Sequence, residues 1–177
     1  MSQVPADEPA LRLAVDFVNT YDLLEHPPDR LTVDLTTRLL TEHGQPQLAA
    51  ALADASLMKL KRVRSFLYAI FAGETAAEKQ AAVNHIFTYV GATPRVVDGP
   101  RLVAATESDD PVRQLGALCA DALARALVTG GSDRIGTCAA NPCKCGYVDR
   151  TRAGRQRYCS QLCNDRVAAA NYRIRHA

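Results

Sequence analysis

Between residues 138 and 163 the chain places five of its six cysteines, spaced Cys138-x4-Cys143-x15-Cys159-x3-Cys163, with Cys145 as an extra thiol in the loop. No other feature restricts the fold as strongly. Two close pairs separated by a loop are what a tetrahedral zinc site needs, because each pair supplies neighbouring sulfurs and the loop brings the pairs together. Four cysteine ligands leave no open coordination position, so such a site is structural rather than catalytic. Its task is to fold a segment of about 40 residues that has too few large apolar side chains to fold alone. A second set, with Cys145 replacing Cys143, satisfies the same arithmetic. Cys143 is preferred because Asn141-Pro142-Cys143 closes a tight knuckle and leaves Lys144 to Asp149 to begin a strand.

The residues around the pairs fit that site. "GYVDR", a turn at Ala153-Gly154 and a return strand "RQRYC" predict a hairpin. "SQLCNDRVAAANYRIR" is helix-prone, which puts Cys163 one turn into a helix and facing the same point as Cys159. Knuckle, hairpin and ligand-bearing helix make a treble-clef arrangement.

Charge collects in the same segment. The chain carries a formal net charge of only +2, but residues 134 to 177 hold nine Lys/Arg against Asp149 and Asp165, a net +7, leaving −5 for the rest. Such asymmetry points to a basic module for a polyanion joined to an acidic or neutral body. Seventeen of the 21 basic residues are Arg, a preference that codon bias explains without explaining the clustering. On the predicted elements, Arg150, Arg152, Arg155 and Arg157 lie on or near the hairpin, and Arg166, Arg173 and Arg175 lie along the final helix. Arg166 and Arg173 are two turns apart and share a face, and guanidinium groups suit phosphate oxygens and guanine edges. DNA is the expected partner ahead of RNA. The competing reading is that these arginines pair with acids on the body or solubilise the segment.

Upstream, residues 1–132 read as a mainly α-helical domain with a small β-hairpin, joined through "TGGSDRIG" as a hinge to a second unit at 133–177. "LRLAVDFVNTY" fits one helical face as well as strand alternation, with helix preferred. "EHPPDR" breaks the chain; Asp34 is the expected cap of a short helix ending at Gly44. Leu48, Leu52, Leu60, Val63, Leu67 and Ile70 recur at helical spacing, predicting one long helix from Gln47 to Ala72 whose Lys59, Lys61, Arg62 and Arg64 form a solvated face. Thr75 and Glu78 stand at capping-box spacing for a helix ending near Gly91. Asp98-Gly99 signals a hairpin, and Asp110-Pro111 opens a helix running to a Gly-Gly stop. His85 and Cys119 lack companions for metal or catalytic work and read as ordinary surface and core residues.

The sequence resembles the CGNR zinc-finger proteins, in which an N-terminal ABATE domain precedes the finger. The resemblance rests on "LAVDFVNTY", "RIGTCAANPC", "GYVDRTRAGRQRYCS" and the basic last helix, and covers nearly the whole chain. It implies a bacterial, stress-associated transcription regulator that binds one structural Zn2+ per chain through Cys138, Cys143, Cys159 and Cys163 and contacts DNA through the finger. It also implies that the helical domain is the regulatory or sensing half. The family's naming tetrapeptide appears here as Cys163-Asn164-Asp165-Arg166, so its Gly is absent, and with it any role needing close backbone approach there.

Other classes stay open. The finger would serve equally as a protein-interaction or dimerisation module, and a homodimer is what a symmetric operator requires. Cys145 beside zinc thiolates would suit a redox sensor. An enzyme is not expected: there is no nucleophile elbow, phosphate loop, paired-histidine motif or acid pair at meaningful spacing. "MSQVPADEPALRLAVDF" lacks a basic region followed by an apolar one, and nowhere do ~18 apolar residues run together. The expectation is a cytoplasmic protein without a membrane partner, in a compartment where clustered cysteines bind metal rather than form disulfides.

Overall fold

Aliphatic side chains at helical spacing dictate the architecture, as the computed structural model of the chain shows for residues 8–97, 99 and 101–176. The element order is α1 (Glu8–Val18), α2 (Val33–Glu42), α3 (Pro46–Ala51), α4 (Leu57–Ala72), α5 (Ala76–Val90), β1 (Ala92–Val97), β2 (Arg101–Thr106), α6 (Pro111–Gly130), β3 (Ile135–Thr137), β4 (Gly146–Val148) and α7 (Gln161–Arg175). The chain is mainly α with two small antiparallel β-pairs, β1–β2 and β3–β4.

α6 is the central helix and touches α1, α3, α4, α5 and β2. Leu13, Phe17, Leu40, Leu60, Leu67, Ile70, Ile86, Leu115 and Leu123 are wholly buried around it. Each contributes about 1.5–3 kcal/mol by leaving water, which lets a chain without Trp build a stable core. Cys119 is part of this core, and burial pushes its thiol pKa up, so it behaves as a small apolar residue.

Local signals account for most boundaries. The capping box at α5 forms in both directions, with Thr75 accepting from the Glu78 N–H and Glu78 accepting from the Thr75 N–H. Asp110 caps α6 by accepting from the Val112 N–H, with Pro111 in the first turn. The β1–β2 hairpin forms in the register Ala92↔Thr106 to Val97↔Arg101; of its expected turn, Asp98 and Pro100 lie outside the described residues.

Three expectations need correction. The helix from Gln47 to Ala72 is two helices, because α3 ends at Ala51, with Leu52 as its C-cap, and α4 starts after Ser56. Leu52 is fully buried at the junction, so the apolar rhythm continues across a break it does not reveal. The cap of α2 is Thr32, whose hydroxyl accepts from the Leu35 N–H, whereas Asp34 sits in the first turn. The basic run on α4 is not simply solvated: Arg64 is buried and Asp29 accepts from both Arg64 and Lys61, while Lys59 pairs with Asp110. The Arg64 guanidinium holds the Asp29 carboxyl well below the usual carboxylate range, despite partial burial.

Candidate metal centre and nucleic-acid interface

β3 and β4 pair across the cysteine knuckle, Ile135↔Val148 to Thr137↔Gly146, and the Cys138 N–H donates to the Cys145 carbonyl to close it. The sequence-based hairpin paired "GYVDR" with "RQRYC" instead. In the structure residues 155–159 form no regular strand; they are held at single points, by the Ala139 N–H on the Arg157 carbonyl and the Tyr147 hydroxyl on the Gln156 carbonyl. The turn at Ala153-Gly154 is real, with Gly154 at φ 62°, where a Cβ would be strained. Ser160 then caps α7 by accepting from the Cys163 N–H, so the last ligand pair lies at a helix start as expected.

The four thiols converge. Cys138, Cys143, Cys159 and Cys163 have sulfurs all within 4.8 Å of one another, with Cys143 to Cys159 at 3.7 Å and Cys159 to Cys163 at 3.8 Å. A tetrahedral zinc with Zn–S near 2.3 Å places its sulfurs about 3.8 Å apart, so the donor set fits the ion in chemistry and in size. The cluster's electrostatics also ask for a cation. At Cys138 burial works against ionisation, but the backbone N–H groups of Cys159 and Ala140, with hydrogen bonds to Cys159 and Cys143, outweigh it and bring the pKa below its ordinary value. Burial pushes Cys143 and Cys159 up. Gathering four thiolates in one buried cluster requires a compensating cation, and a dication supplies it. All donor positions are filled by sulfur, so the site holds structure and offers no open coordination position.

Cys145 stays outside the quartet. Its sulfur lies with Cys143 and the Asp22 carboxylate, and burial first, then Cys143 and Asp22, push its thiol up. Its backbone, rather than its sulfur, serves the knuckle.

The finger is pinned to the helical body by residues whose roles the sequence did not announce. Asn19, in "DFVNT" at the end of α1, donates its amide to the Gly146 carbonyl at 2.9 Å and accepts from the Gly146 N–H at 2.8 Å, completing one backbone rung on β4. Gly146 is required there by close approach, since a Cβ would lie 2.8 Å from the Phe71 ring. Tyr68 donates its hydroxyl to the Lys144 carbonyl. Lys79, buried on α5, donates to the Ser132 and Ile135 carbonyls, and burial lowers its pKa even though Asp133 opposes the shift. "TGGSDRIG" is therefore a clamped 3-10 turn rather than an open hinge. A Lys buried as a clamp gives no sequence signal.

Asp149 organises the arginine-bearing loop. Its buried carboxylate accepts from the Thr151 N–H, the Thr151 hydroxyl and the Gln156 N–H, which overcome burial and depress its pKa. Arg134, counted among the basic residues, is used in the same loop, donating to the Thr151 carbonyl at 2.7 Å. Arg150, Arg152, Arg155 and Arg157 are exposed around this loop, and Arg166, Arg173 and Arg175 are exposed on α7. α7 buries Cys163 and half-buries Val167 against the finger, while residues 171–176 are all exposed. Tyr147 and Tyr158 are half-buried within the finger, and Tyr172 is 59% exposed beside His176. His85 is exposed, its ring edge-on to Phe66.

No helix among the described residues is long and apolar enough to cross a membrane. No curated protein matches the chain. Two family models do: the CGNR zinc finger over residues 134–176, and ABATE, described as "Putative stress-induced transcription regulator", over residues 11–131. The convergent cysteines fall in the first match and the helical core in the second, and the chain belongs to the ABATE family, with a CGNR zinc finger as its C-terminal unit.

Proposed function

We propose that this chain is a zinc-dependent, DNA-binding transcriptional regulator whose finger meets DNA through the loop at residues 149–157 and through α7. The observation that carries the reading is the buried Asp149 carboxylate, which fixes a tight loop and leaves four exposed arginines around it. A merely solubilising patch needs no such scaffold. Zinc sets α7 against the same knuckle, adding Arg166, Arg173 and Arg175 to one module, and small residues Ala168, Ala169 and Ala170 leave the helix slim enough to approach a groove. The family description, transcription regulator, agrees with this use of the basic finger.

Binding of this kind is dominated by phosphate contacts and releases counterions, so its affinity falls steeply with salt. Titration of a random duplex at several salt concentrations tests the reading. Each arginine that contacts a phosphate, removed singly as Arg155→Ala or Arg157→Ala, lowers the salt slope by about 1. Binding with no salt slope, or no binding with zinc fully loaded, refutes it.

We read the cytoplasm as the site of action and assign the chain no catalytic role. The redox-sensor alternative draws less support, because burial, Cys143 and Asp22 push the Cys145 thiol pKa up and so disfavour the thiolate that oxidants attack.

A further inference from the structure

A cleft of about 410 Å³ opens where the finger's knuckle meets the body. Its walls are Val18 and Tyr21 from the end of α1 and beyond, Leu23, and Tyr68 of α4, and its two charged lining residues are Arg64 and Lys144. Two phenol rings and two aliphatic side chains make an apolar slot for a flat body. No carboxylate lines it among the described residues.

The charge balance around the cleft is unusual for a filler gap. Arg64 is 8% exposed, donates to Thr20 and Asp29, and lies 5.7 Å from the centre of the Tyr21 ring. Its carboxylate partner, Asp29, is shared with Lys61, so two cations face one anion. Asp22, the nearest acid in sequence, has its carboxylate beside Cys143 and Cys145 and accepts from the Leu24 N–H. Lys144 is exposed and, among the described residues, has no acidic partner within ion-pair distance. With Arg64 held by Asp29, Lys144 supplies the lining charge left for a ligand, and a small apolar slot with such a cation at its edge selects an anion with an apolar body.

We propose that this cleft binds a small aromatic carboxylic acid, with the ring between Tyr21 and Tyr68 and the carboxylate on Lys144, near the buried Arg64. The occupant bridges the helical body and the zinc knuckle, since Val18, Tyr21 and Tyr68 belong to the first and Lys144 to the second. Tyr68 already joins the two through the Lys144 carbonyl, so a bound acid reinforces an existing contact and tightens the finger against the body. This site stands independently of the DNA-binding reading, because it is defined without nucleic acid.

The test is calorimetric titration of the full zinc-loaded chain with benzoate, with benzamide as the neutral isostere, in the absence of DNA. The expected result is saturable binding of one benzoate per chain below about 10 mM, the range in which even a millimolar site fills. Benzamide, and benzoate with the Lys144→Met protein, should each bind about tenfold more weakly, the loss that follows from removing one charge-assisted contact. Zinc content of Lys144→Met must equal that of the parent, which separates a lost contact from a damaged knuckle. If Lys144→Met loses zinc, Tyr21→Ala on the body side replaces it, with the same weakening expected. Equal affinity for benzoate and benzamide, no saturation, or unchanged binding in a zinc-loaded variant overturns the proposal.

Discussion

The two halves of the chain solve the same problem with different materials. In the body, Leu13, Phe17, Leu60, Leu67, Leu115 and Leu123 leave water completely, and the helices follow from that burial. In the finger the buried cluster is Cys138, Ala140, Cys143, Cys145 and Cys163, and among the described residues Leu24, Tyr158, Cys159 and Val167 pack beside it. Apolar area of that size cannot offset the entropy of ordering the segment. Cysteine sulfurs and a metal therefore stand where the body has leucines. Yet the finger is not autonomous: Leu24 comes from the body, and Ile135 and Val148 pack into the body's core.

Removing the metal breaks the comparison most severely. Cys159→Ser, or a chelator, should unfold the finger, a loss bounded by the roughly 10–16 kcal/mol that zinc contributes to isolated finger peptides. Hydrogen exchange should show protection lost across residues 137–176 and kept in α1, α4 and α6; equal loss in both halves would mean that the body depends on zinc as well. Leu67→Ala is the reciprocal experiment. It should cost about 2–5 kcal/mol in denaturant unfolding and leave zinc content at its original level. A smaller effect is expected at the seam, where Asn19→Ala leaves both polar groups of the buried Gly146 backbone without their partner, at about 1–3 kcal/mol. Gly146→Ala should cost a similar about 1–3 kcal/mol by driving a methyl group into the Phe71 ring.

Acid sharpens the contrast further. Protons compete with zinc for the thiolates, so the finger should go first as pH falls. In the body, Asp29 has a folded pKa depressed chiefly by Arg64. Its stabilisation is complete above the unfolded value of about 3.9 and disappears only as pH drops below that toward the folded value. Circular dichroism during acid titration should thus show two steps, with Asp29→Asn altering the lower-pH step alone; a single step shared by both halves would contradict the division.

Where sequence pattern and structure agree, a local rule was strong enough to act alone. The Thr75/Glu78 capping box, the Asp110-Pro111 start and the cysteine spacing each contain their own geometric reason. Tertiary contacts decided the rest. The helical rhythm of Leu48 to Ile70 hid a break, because Leu52 keeps its place on the buried side while the backbone turns. The partner of β4 proved to be β3 rather than residues 155–159, since pairing across the knuckle sets the thiols in place and leaves the arginine loop to Asp149. Arg64 reads as part of a solvated face in the sequence, and its partner Asp29 comes from a distant residue. The quartet of ligands was legible; the seam that holds it against the body was not.

The most direct test of the account is zinc content of the purified chain measured alongside binding of a random DNA duplex at two salt concentrations, with and without chelator. One zinc per chain, with binding that weakens steeply at higher salt and vanishes when the metal is removed, is the predicted result. One zinc per chain with no duplex binding at either salt would contradict it and make the finger a partner-binding element instead.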